Sequence, residues 1–481
     1  MSLTIGLDIG TTTITALVLD AGRHEVVARA TLPNDTEISS PAAAARGRSE
    51  WDAERMARRA TEVVRAVAGS LGPRHGEVGG LGLTGQQHGV VLVDERSRPL
   101  GPFIGWRDRR GLDPFPGDDQ TFLARAARLA GADALRRSGC ALATGFMGVT
   151  LFWLKETGGL PATGTACFIT DYLGARLTGG APVTDPTMGA SSGLFHLAER
   201  RWDGETIRNL GLSPGFFPEV REAGEPLGPL TAEAARLTDL TAGVPVFVGL
   251  GDNQASFLGS VAERGETVQV NIGTGGQVGR YTDTIHDAPP LETRPFPRGG
   301  YLLVEAGLCG GRSYATLRQF FGETIAQVCD AHGERDLYAA MNTLATSAPR
   351  GAGGVRCEPF FTGTRAEPGR RAGWSNISEE NFTPGNMVRA LLEGMAQAFR
   401  DGYRRIATAT GSACTCLVGA GNGIRENPVL AGIIAEEFGL PLAVPTHREE
   451  AAFGAALIAA LGAGILSDLA AAGRVIHYRN L

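Results

Sequence analysis

Two aspartates occupy positions where a carboxylate could take part in phosphoryl transfer. Asp8 stands between Leu7 and Ile9 in an apolar run, and Asp252 follows a second apolar run and opens a helical segment. Phosphoryl transfer uses one carboxylate to help hold Mg²⁺ and another to accept the proton of the attacking hydroxyl. A carboxylate within an apolar strand costs free energy without a partner, which favours a functional role for Asp8. Asp252 has an alternative interpretation as a helix N-cap.

A glycine-threonine loop in the first half of the chain recurs in the second half. The segment Gly6–Asp20 resembles Gln269–Asp283, with Gly10 aligned on Gly273. Backbone N–H groups and Thr hydroxyls of such turns can bind phosphate, although either loop alone could be an ordinary hairpin turn. Two hairpins in the same register predict a duplicated domain whose boundary lies near residues 253–265.

Composition limits how phosphate could be bound. The chain of 481 residues has 45 basic residues, of which Lys155 is the single lysine. It contains no Gly-x-x-x-x-Gly-Lys-Ser/Thr motif, which excludes a P-loop. Phosphate charge would then be neutralised by Mg²⁺, backbone donors and arginine. The formal net charge of −6 argues against a nucleic-acid or membrane-surface protein with a basic surface.

A third glycine-rich segment has the context of a nucleoside-binding turn. It runs Gly419-Ala-Gly421-Asn422-Gly423-Ile424, after an apolar strand and before a helix. A dinucleotide fingerprint would need glycine where Ile424 stands, so NAD binding is disfavoured. A nucleoside that packs flat against the glycine backbone is compatible with the same residues.

Two polar clusters in the first half have the side chains of a sugar-binding site. Gln86-Gln87-His88 follows a predicted strand, and Trp106-Arg-Asp108 follows a short apolar run. Amide, imidazole, carboxylate and indole groups together suit a polyhydroxylated ligand, whose C–H groups an aromatic face can cover. Ordinary surface loops are the alternative interpretation. Metal binding by His88 is disfavoured because no second ligand lies at suitable spacing.

Strand-like and helix-like segments alternate along the chain, which predicts an α/β fold. The predicted elements are strands at Leu3–Leu7, Thr15–Leu19, Leu81–Leu83, Val246–Leu250 and Cys416–Val418, and helices at Trp51–Ala68 and Pro384–Thr408. The longest apolar run, Ala451 to Leu466, is shorter than the ~20 residues that span a bilayer and predicts a buried helix. Seven scattered cysteines without a Cys-x-x-Cys motif and a start without a signal-like block predict a cytoplasmic protein.

The ordered set of motifs resembles the FGGY carbohydrate kinases of the actin-like ATPase superfamily. The resemblance runs from the first strand to about Leu461. The motifs that carry it are Asp8-Ile-Gly-Thr-Thr, Thr84-Gly-Gln-Gln-His-Gly89, Trp106-Arg-Asp108, Thr184-Asp-Pro-Thr-Met-Gly-Ala-Ser, Gly251-Asp-Asn-Gln254, Asn271-Ile-Gly-Thr-Gly275 and Gly419-Ala-Gly-Asn422. Within the family, Ala143-Thr-Gly-Phe146, Thr150-Leu-Phe-Trp-Leu154 and Gly251-Asp-Asn-Gln-Ala-Ser256 are most similar to kinases of sedoheptulose. The Gln87-His88-Gly89 cluster is also similar to kinases of xylulose.

This resemblance implies an α/β fold of two duplicated actin-like (ribonuclease H-like) domains with a cleft between them. Residues 1–254 would bind the sugar and carry the first phosphate loop, and residues 255–481 would bind the nucleotide. By the same resemblance, Asp252 would be the general base and Asp8 would help coordinate Mg²⁺. The residues implied to bind the sugar are Gln87, His88, Trp106, Asp108, Asp252 and Asn253. Those implied to bind ATP are Thr11, Thr12, Thr13, Gly273, Thr274, Gly311, Gly421 and Asn422.

The expected activity is ATP-dependent phosphorylation of the terminal hydroxyl of a ketose, with sedoheptulose first and xylulose, another pentulose or a polyol as alternatives. Outside this class, an actin-like or chaperone-like ATPase module would share the glycine-threonine hairpins. Expected partners are the sugar and ATP, with neither nucleic acid nor membrane, and a homodimer is a compatible assembly.

Overall fold

The computed structural model describes residues 2–328, 336–364, 367 and 369–480. Cys329, one of the seven cysteines, lies outside these residues. Strands and helices are interspersed along both halves of the chain.

The first half contains the following strands: β1 (Leu3–Ile9), β2 (Thr13–Asp20), β3 (Glu25–Pro33), β4 (Glu50–Trp51), β5 (Val78–Gly85), β6 (Gly89–Val93), β7 (Phe103–Gly105), β8 (Thr165–Cys167), β9 (Val183–Thr184), β10 (Phe195–His196), β11 (Arg201–Trp202), β12 (Glu219–Val220), β13 (Pro226–Pro229), β14 (Pro245–Phe247) and β15 (Leu250–Gly251). Its helices are α1 (Pro41–Ala45), α2 (Ala53–Gly69), α3 (Phe122–Ala130), α4 (Ala132–Ser138), α5 (Met147–Glu156), α6 (Ile169–Thr178), α7 (Pro186–Ala190), α8 (Gly204–Asn209), α9 (Ala232–Thr238) and α10 (Asp252–Leu258).

The second half contains the strands β16 (Thr267–Ile272), β17 (Gly276–Thr282), β18 (Glu292–Pro295), β19 (Tyr301–Leu308), β20 (Arg356–Glu358), β21 (Gly373–Ser375), β22 (Cys416–Ala420), β23 (Leu442–Pro445) and β24 (Tyr478–Asn480). Its helices are α11 (Gly311–Val328), α12 (Leu337–Ser347), α13 (Pro384–Thr410), α14 (Asn422–Arg425), α15 (Pro428–Phe438), α16 (Glu450–Gly462) and α17 (Leu469–Arg474).

The first large sheet has the strand order β13-β14-β5-β1-β2-β3, with β15 also paired to β5. Strands β1 and β2 form the predicted antiparallel hairpin, and β1 and β15 both run parallel to β5. Asp8 pairs with Thr84 on one side of β5, and Leu250 pairs with Thr84 on the other. This register brings Asp8 and the start of α10 together at the carboxyl ends of the parallel strands. Ligands bind in crevices at this end of the strands in open α/β sheets.

The second large sheet has the order β18-β19-β17-β16-β22-β23-β24 and repeats the motif of the first. Strands β16 and β17 form an antiparallel hairpin, and β22 runs parallel to β16. The duplicated hairpin predicted from Gly10 and Gly273 is therefore present in both sheets. The domain boundary after Gln254 falls within α10 and stays a prediction.

Several predicted elements differ from the observed ones at their ends. The predicted strand Val246–Leu250 is interrupted because the backbone of Val248 bonds to the Gly224–Glu225 segment instead of continuing along β5. The helix predicted from Trp51 begins at Ala53, since Trp51 pairs with β7. The helix predicted to end at Thr408 continues to Thr410 and stops where Gly411 takes a left-handed conformation.

Helix α16 connects the two halves of the molecule. It contains most of the apolar run predicted to form a buried helix, and its side chains from Ala452 to Leu461 are buried. It packs on β1, β5 and α10, so an element of the second half covers the first sheet. The backbones of β1 and β5 lie close to the backbone of α16, because a Cβ added at Gly6 or Gly82 would overlap carbonyl oxygens of that helix. Among the described residues, none of the helices combines the length and apolar character needed to cross a membrane.

Candidate active site

A cavity of about 480 Å³ lies where the carboxyl ends of strands from both large sheets meet. Residues of both halves line it, including seven of those predicted to bind the sugar or ATP, together with the predicted metal ligand Asp8. Its lining comprises Asp8, Gln86, Gln87, His88, Trp106, Asp252, Asn253, Ser256, Asn271, Gly273, Thr274, Gly275, Gly276, Gln277, Arg294, Ala306, Gly307, Glu449, Glu450 and Ala451.

Asp8 carries a carboxyl group that is poorly solvated. Its Oδ1 is buried and has no hydrogen-bond partner among the described residues. Burial raises the pKa of Asp8 to about 8, and the negative charges of Asp252 and Glu449 add to the shift. A cation bound at Oδ1 would remove this penalty, so the position suits a metal ligand better than a structural carboxylate.

Asp252 is the first residue of α10, and the N-cap is Gly251. The interpretation of Asp252 as the N-cap is therefore wrong. The Asp252 Oδ1 accepts a 2.9 Å hydrogen bond from the Asn253 backbone N–H. Burial raises the pKa of the Asp252 carboxyl to about 6, while hydrogen bonds from backbone amides and the charge of Arg294 oppose the rise. A carboxyl with a pKa near 6 is mostly ionised at neutral pH and is then able to accept a proton.

Gln86, Gln87 and His88 form the polar wall beside Asp252. Both amide atoms of Gln86 and the Oε1 of Gln87 are buried without a hydrogen-bond partner in the described part of the chain. His88 is fixed by a 2.8 Å contact from its Nδ1 to the Ser191 carbonyl oxygen and by stacking on Phe146. Buried polar groups without partners are costly, and a polyhydroxylated ligand would satisfy them.

Trp106 and Asp108, predicted together as sugar ligands, take different positions. The Trp106 indole is 42% exposed, lines the cavity and bonds to Thr11. Asp108 is fully buried outside the lining, where it bonds to Arg110 and to the Ser49 backbone N–H. The structure therefore gives Asp108 a role in holding the loop that carries Trp106.

The predicted nucleotide residues of the second half lie together at one end of the second sheet. The Gly311 N–H donates a 2.9 Å hydrogen bond to the Gly273 carbonyl, which joins the start of α11 to the β16–β17 loop. A Cβ added at Gly273 would meet no described atom within 4 Å. At Gly421, by contrast, a φ of +82° and the neighbouring end of β16 require glycine. Asn422 follows and opens α14.

None of the three threonines of the first glycine-threonine loop is in the lining of the cavity. Thr11 is half-buried and contacts the lining through its hydrogen bond with Trp106, whereas Thr12 and Thr13 are exposed. Asn34 holds this loop, since its backbone N–H bonds to the Thr12 carbonyl and its Nδ2 to the Gly10 carbonyl.

Sequence reasoning missed the residues that the second half contributes through α16 and β18. Glu449 and Glu450 precede and open α16, and Arg294 lies on β18. Glu450 pairs with Arg425 at 2.5 Å, and Glu449 has a left-handed φ of +65°. Two acidic residues at the start of an otherwise apolar run are the signal that could have found the glutamates. Arg294 had no comparable local signal.

The residues present fit ATP and Mg²⁺. Asp8 offers an unpartnered carboxylate oxygen, and the open glycine loop leaves room for phosphates against backbone N–H groups. Among the described residues there is no cluster of three or more His, Cys, Asp or Glu side chains around a potential metal site. Mg²⁺ often takes one or two carboxylates from the protein and completes its shell with water and phosphate oxygens.

Known proteins share this architecture over nearly its whole length. Human sedoheptulokinase is 26% identical over 95% of this chain and 97% of its own length. Glycerol kinase of Thermus brockianus is 31% identical over 80% of this chain and 76% of its own. The crystal structure of xylulose kinase from Rhodospirillum rubrum superposes with a TM-score of 0.85 at 27% identity, covering 100% of this chain and 94% of that one.

Family models identify both halves. Residues 3–259 match the N-terminal domain of the FGGY family of carbohydrate kinases, and residues 268–463 match its C-terminal domain. The expected fold of two actin-like domains is confirmed by the two sheet-containing halves and by the solved kinase structures. The chain belongs to the FGGY family of carbohydrate kinases, enzymes that take ATP as the phosphate donor.

Proposed function

We propose that this kinase transfers the γ-phosphoryl group of ATP to the terminal hydroxyl of a ketose, with sedoheptulose as the first candidate. The observation that carries the proposal is the meeting of Asp252, Asp8 and the open loop at Gly273 around one cavity. Phosphoryl transfer requires a base, a ligand for the cation and a loop that binds phosphate, and residues suited to each role meet at this cavity.

In the proposed reaction, Asp252 accepts the proton of the sugar hydroxyl as its oxygen attacks the γ-phosphorus. The bond from the γ-phosphorus to the β,γ-bridging oxygen breaks, and ADP leaves with that oxygen. Mg²⁺, held in part by Asp8, would neutralise phosphate charge. The open loop at Gly273 and Thr274, which Gly311 holds in place, would accommodate the phosphates, and Gly421 and Asn422 would border the nucleoside.

The sugar would lie on the wall formed by Gln87, His88, Asn253 and the face of Trp106. Asn253 is held by a 2.9 Å hydrogen bond from its Nδ2 to Gln277 Oε1, which orients its remaining amide oxygen. The buried amide atoms of Gln86 and Gln87 that have no hydrogen-bond partner among the described residues would bind sugar hydroxyls. Thr11 would contribute to the phosphate site through its position beside Trp106.

Sedoheptulose is favoured by the human sedoheptulokinase, which aligns over almost its full length, and by the motifs around Ala143 and Asp252. The xylulose kinase of similar structure supports a pentulose as the alternative. Glycerol kinase is the relative that would indicate a polyol. We propose a cytoplasmic location for the enzyme, because its substrates would be ATP and a metabolic sugar.

The test is an ADP-release assay with Mg²⁺ and a panel of sedoheptulose, D-xylulose, other pentuloses and glycerol. We expect the highest kcat/KM with sedoheptulose, and phosphorus NMR of the product should place the phosphate on the terminal carbon. Activity with glycerol alone, or ATP turnover that no sugar increases, would contradict the proposal. Nucleotide-dependent association with another protein would then favour the actin-like or chaperone-like alternative.

A further inference from the structure

Arg294 lines the same cavity as Asp252 and carries a charged hydrogen-bond donor that is buried. Its side chain is almost completely enclosed, with 5% exposed. Its Nε donates a 2.9 Å hydrogen bond to Glu292 Oε2, and Nη2 donates to the same oxygen. The remaining Nη1 is buried and has no hydrogen-bond partner within the described residues. A guanidinium donor left unsatisfied in the protein interior is costly, and because Arg294 lines the cavity, an acceptor atom of a bound ligand would satisfy it.

The strand that carries Arg294 is held between the two halves of the molecule. The Thr293 N–H donates a 3.0 Å hydrogen bond to the Gly139 carbonyl of the first half. The Pro295 carbonyl accepts a 3.2 Å bond from Gln254 Nε2 in α10. Because both neighbours of Arg294 are fixed, and Glu292 holds two of its nitrogens, the direction of Nη1 is preorganised.

The charges around Arg294 indicate what kind of acceptor it takes. Glu292 already balances the guanidinium charge, and its carboxylate is also buried, with 5% exposed. The rest of the cavity contains the acidic side chains Asp8, Asp252, Glu449 and Glu450, of which Glu450 is paired with Arg425. A substrate carboxylate would add negative charge to this acidic site, whereas a neutral carbonyl oxygen would accept from Nη1 without that repulsion.

We propose that Arg294 is a specificity-determining residue that donates from Nη1 to the keto oxygen of the sugar. The inference rests on the ketose kinase activity proposed above. A carbonyl oxygen lies in the plane of its sp² carbon and only accepts hydrogen bonds, whereas the alditol carries its hydroxyl on an sp³ carbon, so its oxygen lies in a different direction and its hydrogen must rotate away from the guanidinium before it can accept. Arg294 would thereby select ketoses over the alditols of equal length.

The experiment compares kcat/KM for each ketose with that for its own alditol, in the wild type and in Arg294→Lys. Lysine keeps the positive charge but removes the planar donor pair. We expect the kcat/KM for the ketose to fall about 10- to 100-fold, the effect of losing a charged hydrogen bond. The value for the alditol should change less than about threefold if it never used that bond. The ratio of kcat/KM for the ketose to kcat/KM for the alditol should therefore fall strongly.

A second variant covers the possibility that Arg294→Lys leaves Glu292 badly paired. The double variant Glu292→Gln/Arg294→Gln replaces the buried ion pair by neutral amides, and it should show the same loss of ketose preference. Arg405→Gln is the matched control, because Arg405 forms a bidentate pair with Glu305 away from the Asp252 cavity. Its ketose-to-alditol ratio should equal that of the wild type. Thermal melting and the affinity for an ATP analogue report whether each variant is folded.

Three outcomes overturn the assignment, and the measurements distinguish them. If ketose and alditol lose activity equally in both variants, Arg294 acts on the phosphoryl group or on Asp252, and its role in ketose recognition is refuted. If neither substrate loses activity in the folded variants, the role of Arg294 alone is refuted. If the wild-type enzyme phosphorylates alditols but no ketose, the proposed function fails and the assignment fails with it.

Discussion

The indole Nε1 of Trp106 donates a 2.8 Å hydrogen bond to the Oγ1 of Thr11. This bond connects the loop predicted to cover the sugar with the loop predicted to bind phosphate. Both residues belong to the first half, but they are far apart in the chain and meet only through the fold. A sugar that packs on Trp106 would therefore bias the position of the phosphate loop.

We expect Thr11→Val to weaken the coupling between sugar and ATP binding. The substitution keeps the shape of the side chain and removes the acceptor for Trp106. At a partly exposed site, losing a neutral hydrogen bond of about 0.5–1.5 kcal/mol predicts an increase of roughly two- to tenfold in the KM for ATP at saturating sugar. Thr61→Val, on the exposed face of α2, is the control and should leave the KM unchanged. An unaltered KM in Thr11→Val would show that the bond carries no coupling.

Asp252→Asn should abolish most turnover without loss of the fold. Removal of a general base lowers the rate by about 10²–10⁴-fold. Burial raises the pKa of Asp252, so its ionisation at neutral pH opposes folding, and that cost disappears as the pH falls. The melting temperature of the Asn variant should therefore not decrease, and calorimetry should show ATP still bound. Asp52→Asn, which retains an N-cap oxygen for the Arg55 N–H, is the matched control. Wild-type turnover in Asp252→Asn would remove Asp252 from the role of base.

The activity should have an acidic limb with a midpoint near pH 6. The pKa of the Asp252 carboxyl is raised to about 6, and the base works only when ionised. Below the midpoint, kcat/KM should fall about tenfold for each pH unit, because protonation removes the active form. A pH–rate profile at saturating ATP and Mg²⁺ checks this. Activity that stayed constant down to pH 4 would be incompatible with Asp252 as the base.

Asp8→Asn should uncouple nucleotide binding from Mg²⁺. The variant replaces the carboxylate whose buried Oδ1 has no hydrogen-bond partner among the described residues. Titration calorimetry of ADP with and without Mg²⁺ measures the effect apart from turnover. We expect Mg²⁺ to tighten ADP binding to the wild type and to change it by less than about twofold in the variant, since an amide is a weaker Mg²⁺ ligand. Equal Mg²⁺ dependence in both proteins would mean that Asp8 does not hold the cation.

Gly82→Ala should destabilise the protein strongly, because α16 packs against the backbone of β5 there. The added Cβ would overlap the Ala455 carbonyl oxygen and approach the Ala459 Cβ to 3.2 Å. Overpacking of this kind costs about 1–3 kcal/mol in unfolding free energy. Gly69→Ala is the control, because a Cβ at the last residue of α2 meets no described atom within 4 Å. Chemical denaturation should show a loss for Gly82→Ala and none for Gly69→Ala.

Much of this site could be predicted from local sequence. Gly10 and Gly273 recur in one register, and that repetition predicts two hairpins because turn geometry is set by a few adjacent residues. The adjacent Gln86, Gln87 and His88 also indicate a ligand wall, because they follow a buried strand at its carboxyl end. The family resemblance added the roles of Asp8 and Asp252.

Other features depend on contacts between distant segments. Asp108 was grouped with Trp106 by its position in the chain, but the side chain turns inward to Arg110 and Ser49. Val248 leaves the strand pattern because a loop preceding β13 competes for its backbone hydrogen bonds. Neither result follows from residue type or spacing, since each is decided by which partner the fold brings within hydrogen-bond distance.

The sequence by itself determined the class of this protein, a carbohydrate kinase with two related halves, and it located Asp8 and Asp252. The tertiary structure alone decided that these two carboxyl groups lie on either side of the carboxyl end of β5, because β1 and β15 both pair with that strand. It also decided that Arg294 faces the same cavity. The physical reason is that the electrostatic state of a carboxyl depends on burial and on nearby charges, which only the packing of distant strands supplies.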